Sequence, residues 1–274
     1  MKELDEKSKY FTFGILGGFI IIFIVLLIAF ITPFAVSNNE IAIIPIRGEI
    51  SYINDSDNTV PSEFEVLLNK AEEDNNIKAV ILDIDSSGGS LLASQEIESY
   101  VSNSSKPIIA WISGSGSTYS YLIASSADEI VANPNAVIGS NGFSYLSADL
   151  TDYYYKLGVN ANTSEGNTFN TIFPNFNSLS KSQRNSVNNM LYIDCNYFVS
   201  EVKDNRDINI SLVNFENGNI YSSNLALNTG LIDYIGDKSV AVEVAANISN
   251  LTSYSVVDIN GNGFFDDFMD LITK

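Results

Sequence analysis

The chain begins with one kind of hydrophobic pattern and continues with another. Residues 10 to 39 carry no charge, and FTFGILGGFIIIFIVLLIAFITPFAV within them is apolar for longer than the ~20 residues a helix needs to cross a bilayer. That run exceeds the roughly 7 to 15 residues of a signal-peptide core, which favours an uncleaved transmembrane anchor over 11–36. AVS at 35–37 nevertheless has the form of a cleavage site. Lys2, Lys7 and Lys9 precede the span, so the basic flank predicts a cytoplasmic N-terminus over 1–10. The body, 40–274, is then extracytoplasmic, on a single-pass protein of the cell membrane whose anchor contacts lipid.

Beyond residue 40, short apolar runs alternate with helical spacing. IAIIPIRGEI (41–50) predicts a strand with Pro45 near an edge. Pro61 and Ser62 open a helix on which Phe64, Leu67, Leu68 and Ala71 share a face. KAVILDIDSSGGSLLASQEIESYV (78–101) and KPIIAWISGSGSTYSYLIASSADEIV (106–131) then resemble each other. Each runs from a lysine through an apolar strand into a Gly/Ser turn and a helix. Strands alternating with helices predict a parallel α/β arrangement, in which sites form at the carboxyl ends of the strands, where both turns lie. AVIGSNG adds a short strand, Leu150, Tyr153, Tyr154 and Leu157 fall at helical spacing, and the polar run 160–177 reads as a loop. Ser180 caps a long helix within 178–207, and two short helices flank Gly230–Gly236.

Composition narrows the chemistry. The chain has 14 basic and 33 acidic residues and a formal charge of −19, all of it carried by the body because the first ten residues balance. Such a surface repels phosphate backbones, which argues against nucleic acid as a partner. There is no histidine and one cysteine, Cys195, set among apolar residues like a core position. Ser-His-Asp and Cys-His machinery and an intramolecular disulfide are therefore excluded, and no cofactor or metal is called for. A hydrolase would need Ser or Thr activated by lysine, or paired carboxylates. The obvious place is Ser113–Ala127, where a Gly/Ser turn feeds a helix.

The pieces occur in an order that resembles the signal peptide peptidase A family, membrane-anchored serine-lysine endopeptidases with the Clp protease and crotonase fold. IAIIPIRGEI is similar to the family's first strand, and ILDIDSSGGS to its strand ending in Ser-Pro-Gly-Gly, with Ser87 in place of the proline. ASSADEIVANPNAVIGSNG is similar to the segment after the nucleophile, and NIYSSNLALNTGLIDYIGD to the closing motif. The resemblance covers roughly 40–274. It implies repeated strand-turn-helix units, peptide or signal-peptide segments as ligands, an oxyanion hole at Gly88 and Gly89, and assembly into rings.

The same resemblance exposes departures. The family's nucleophile region reads approximately Ala-Ala-Ser-Gly-Gly-Tyr-Tyr-Ile, with Ala-Asp ten residues after the serine; counting back from Asp128 reaches Thr118. Tyr119 and Ser120 stand where the family has glycines, which predicts a turn that reaches positive φ less easily and bulk on the substrate side. The family's lysine falls on Phe169 or Asn170, and 157–180 holds no basic residue. Two readings follow. One is a catalytically silent member that binds peptide or builds a homo-oligomeric ring, or a mixed ring with an active paralogue. The other is an active endopeptidase with displaced parts, Ser117 or Ser120 as nucleophile and Lys156 or Lys181 as base. Separately, Asp258, Asn260, Asn262, Gly263 and Asp266 match calcium-loop positions within 258–270, but Met269 stands where a bidentate carboxylate belongs.

Overall fold

The computed structural model describes residues 22–23, 39–55, 57–139, 149–158, 179–206, 208 and 218–259. The chain divides after Asn39, and Glu40–Lys274 forms a unit of its own. Apart from Ile22 and Phe23, the predicted anchor lies outside the described residues. Among the described residues no helix is long and apolar enough to cross a membrane.

Strands β1 (Glu40–Ile50), β2 (Ile77–Gly89) and β3 (Ile108–Ser117) are adjacent and parallel at the centre of the sheet. Their near-continuous apolar runs fit strands covered on both faces. Alternation sends Ile44, Ile46, Leu82, Ile84, Ala110 and Ile112 to one side. There they meet α1 (Pro61–Glu73), α2 (Leu91–Ser102), α3 (Tyr119–Ser125) and α5 (Lys181–Asn205), with α4 (Thr151–Lys156) between α3 and α5 in the chain. Ile41, Ile43, Ala79, Ile81 and Ile109 face the other way, against α7 (Lys238–Ile248).

β4 (Glu129–Ala132) pairs with the first half of β3 and β5 (Val137–Gly139) with its end, both parallel. β6 (Ile220–Ser222) adds an antiparallel margin, α6 (Ser223–Thr229) follows it, and β7 (Tyr234–Ile235) and β8 (Ser255–Asp258) pair with β4 and β1. β8 covers β1 only over Glu40–Ile43, and farther along Thr59 Oγ1 accepts from Arg47 N at 2.8 Å. Pro45 sits on the uncovered margin between them, where a missing N–H costs no ladder bond.

Caps fall where the residue types predict. Pro61 opens α1, and Ser180 and Gln183 form a reciprocal capping box that starts the long helix at Lys181. The Gly/Ser turns differ from expectation. β2 stays extended through Ser86–Gly89 because Glu49 and Ile50 pair with Gly88 and Gly89, and β3 stays extended to Ser117 because β5 pairs with Ser115–Ser117. Local irregularities between Ile84 and Ser86 absorb the extra residues. The second turn is thereby compressed to one residue, Thr118.

Candidate functional site

Thr118 joins β3 to α3 with φ 52° and ψ −118°. Among the described residues, only it and Asn250 have positive φ without being glycine. For a β-branched side chain this conformation costs of order 1–3 kcal/mol and persists only where the surroundings enforce it. Here Thr118 N donates to Gly139 O at 2.6 Å, and its carbonyl accepts from Leu122 N at 3.1 Å. The strain belongs to residue 118 itself. Tyr119 and Ser120 lie in α3, so the expectation that losing glycines there hampers a positive φ is wrong.

The expected bulk on the substrate side is wrong as well. Tyr119 is 7% exposed and packs edge-on against Phe198 of α5, ring centroids 6.5 Å apart. Burial pushes its phenol well above the ordinary range and raises the neighbouring Asp194 carboxyl. Tyr121 is fully buried, and its hydroxyl donates to Leu231 O at 2.6 Å, which ties α3 to the closing Gly230 turn.

The three candidate hydroxyls have different surroundings. Ser117 is fully buried, its Oγ 2.8 Å from Ser115 Oγ. Ser120 is also fully buried; its Oγ accepts from Ser117 N at 2.9 Å and donates to Ser86 O at 2.6 Å, bracing β3 against β2. Thr118 occupies the elbow and is 7% exposed. Ser120→Ala leaves two buried backbone groups without that partner, so it is expected to lower stability by about 2–4 kcal/mol, read as a shift of the urea midpoint.

Gly88 and Gly89 face different neighbours. A Cβ on Gly88, φ +102°, would stand 3.1 Å from Tyr119 N and 3.5 Å from Thr118 Cβ, so this glycine allows β2 to approach the elbow closely. A Cβ on Gly89 would stand 2.2 Å from Ile50 O, against β1. Gly88 N donates to Ser86 Oγ at 3.1 Å, and Ser86 Oγ donates to Gly48 O at 2.7 Å, a role the sequence reading passes over. Asp83 and Asp85 also do more than form turns. Asp83 receives Arg47 and, at 2.6 Å, Ser113 Oγ, linking three adjacent strands, while Asp85 accepts from Ser115 N at 2.9 Å.

Phe169 and Asn170 lie outside the described residues. Lys156 ends α4 and Lys181 begins α5, both exposed. Lys181 precedes Phe198, the residue that meets Tyr119, by seventeen positions. At about 1.5 Å per residue that is roughly 25 Å along the helix. Cys195 is buried in the helix core face. Asp258 pairs with Lys238 at 3.4 Å, and the calcium-loop positions from Asn260 onward lie outside the described residues. Among the described residues no His/Cys/Asp/Glu group is arranged to hold a metal.

The sequence and the fold have counterparts among known proteins. Protease 4 of Haemophilus influenzae is 29% identical over 242 residues, covering 86% of this chain and 39% of the relative. The Methanocaldococcus jannaschii protein MJ0651 is 28% identical over 201 residues, covering 70% and 63%. The chloroplastic serine protease SPPA of Arabidopsis thaliana is 28% identical over 222 residues, covering 78% and 33%. The chain thus spans less than two thirds of the length of each. Two solved structures of the 1510-N membrane-bound stomatin-specific protease share the fold, at TM-scores of 0.54 and 0.55 and identities of 15% and 16%. They cover 82% and 87% of this chain and 99% of their own; one is a serine-to-alanine mutant, the other a lysine-to-alanine mutant in complex with a substrate peptide. A model of peptidase family S49 matches residues 100–252, more than half of the chain. The chain belongs to peptidase family S49.

Proposed function

We propose that this chain is a membrane-anchored S49 protein that binds peptide segments at the Thr118–Gly88 elbow and hydrolyses them very slowly or not at all. The carrying observation is the fate of the three hydroxyls. Ser117 and Ser120 are fully buried and hydrogen-bonded within the fold, which counts against either as a displaced nucleophile, and the elbow holds a threonine that is 7% exposed. A hydroxyl without general-base help is a poor nucleophile, and the lysine position implied by the family holds Phe169 or Asn170. The close approach of Gly88 to the elbow favours retention of the peptide-binding surface. Exposed Tyr153 and Tyr155 on α4 and Tyr192 and Ile193 on α5 offer apolar area for neighbours in a homo-oligomeric or mixed ring.

The test is fluorophosphonate labelling of the detergent-solubilised full-length protein and of its Ser117→Ala, Thr118→Ala and Ser120→Ala variants. No labelling of the wild type is expected. Labelling that disappears only in Thr118→Ala would overturn the silent reading and assign an active threonine.

A further inference from the structure

The C-terminal end of α5 is fastened to the sheet by a cluster of two carboxyl groups and one guanidinium. Arg206, which caps α5, donates to Asp233 Oδ1 at 2.6 Å and to Gly230 O at 3.4 Å. Asp233 Oδ2 accepts from Ile130 N at 2.7 Å, and Asp233 N donates to Ile130 O at 2.9 Å. One carboxylate thus joins the end of α5 to β4, at the point where β7 begins. Glu129 directly precedes Ile130, and its carboxyl reaches hydrogen-bonding contact with that of Asp233. Two ionised carboxylates cannot bond to each other, because neither has a hydrogen to donate. A proton on one of them makes the contact a donor and an acceptor.

The surroundings favour that proton. The side chains of Arg206 and Asp233 are only 11% and 26% exposed. The other titratable groups facing the pair are Asp128 at the start of β4 and Tyr121 from α3. Asp128 already accepts from Ile108 N, and the Tyr121 hydroxyl already donates to Leu231 O. Among the described residues the cluster has no second cation, so Arg206 serves both acids. Burial first, and the adjoining Asp233 second, raise the Glu129 carboxyl above its ordinary range.

We infer that Glu129 and Asp233 form an acid-closed latch: a proton on Glu129 is donated toward Asp233 and holds the end of α5 down, and loss of that proton to solvent loosens it. A carboxyl raised in the folded state contributes stability that is complete below its unfolded titration and is lost as pH rises through its folded one. The latch therefore weakens toward neutral and basic pH. Phe198, which packs on Tyr119 next to the elbow, lies eight residues before Arg206, about two helical turns away. The helix that the latch holds is the one that backs the elbow.

The experiment is hydrogen–deuterium exchange of the full-length protein in detergent, read by mass spectrometry on the peptides that contain Arg206 and Asp233 and corrected for intrinsic exchange at each pH. Between about pH 5 and pH 8, wild-type protection is expected to fall about threefold to tenfold at both places. Glu129→Gln keeps an N–H donor that does not ionise, so its protection is expected to stay high across the range. Glu129→Ala removes the donor and is expected to be low throughout. Burial also raises the carboxyls of Asp194 and Glu201 on α5, which give the whole chain a pH response of the same sign. The difference between wild type and Glu129→Gln is thus the deciding quantity. An equal fall in both overturns the latch and leaves the response to those acids. Wild-type protection that does not fall overturns it as well, and so does low protection of Glu129→Gln at every pH, since a neutral donor would then fail to close the contact.

Discussion

The double variant Thr118→Ser with Phe169→Lys or Asn170→Lys is expected to hydrolyse peptides about 10²- to 10⁴-fold faster than the wild type, the usual contribution of a general base. Thr118→Ser removes a methyl from a β-branched residue held at φ 52°, which frees χ1 and clears the line of attack while keeping the hydroxyl. It supplies no proton acceptor. Lysine at the position the family resemblance implies supplies one, but against threonine it acts on a crowded hydroxyl. The two changes form a unit, and their combined effect should far exceed the product of the single effects. Turnover of a fluorogenic peptide by the wild type, both singles and the double measures this directly. A wild type already as fast as the double would mean that the elbow is activated by some other group, and the silent reading would fail.

How much of this was legible in the sequence depends on whether the chemistry is local. The Ile-rich strands and the cap at Ser180 follow from composition and spacing, and the long helix starts where its cap residue stands. Asp128, from which Thr118 is counted, has a place of its own in the fold. Asp128 accepts from Ile108 N at 2.8 Å through its carboxylate, and its own N donates to Ile108 O at 2.9 Å. It therefore pins the start of β3, and the elbow lies one strand length away. What the sequence concealed was long-range. Nothing near Ser120 announces that its hydroxyl meets a carbonyl 34 residues earlier, and Tyr121 meets one 110 residues later. Ser86–Gly89 reads as a turn by composition and is a strand because β1 pairs with it.

Restoring the family's glycine next to the elbow is expected to damage the protein. Tyr119→Gly should cost about 3–5 kcal/mol for the lost aromatic side chain, with roughly another 1 kcal/mol for glycine in a helix. Tyr119 is nearly fully buried, lies in the first turn of α3 and meets Phe198, so its removal opens a void between α3 and α5. Phe198 is itself fully buried, so the void is not filled from solvent. Tyr119→Phe keeps the ring and tests the hydroxyl separately. Urea unfolding of the three proteins, followed by tyrosine fluorescence and far-UV circular dichroism, distinguishes these contributions. A Tyr119→Gly variant as stable as the wild type would mean that the residue does not bridge the two helices. The elbow conformation is held from the other direction, by Gly139 and Leu122 on residue 118. A glycine at 119 therefore gives nothing back, since φ there is already helical, and the tyrosine is a packing adaptation that leaves the geometry of the site intact.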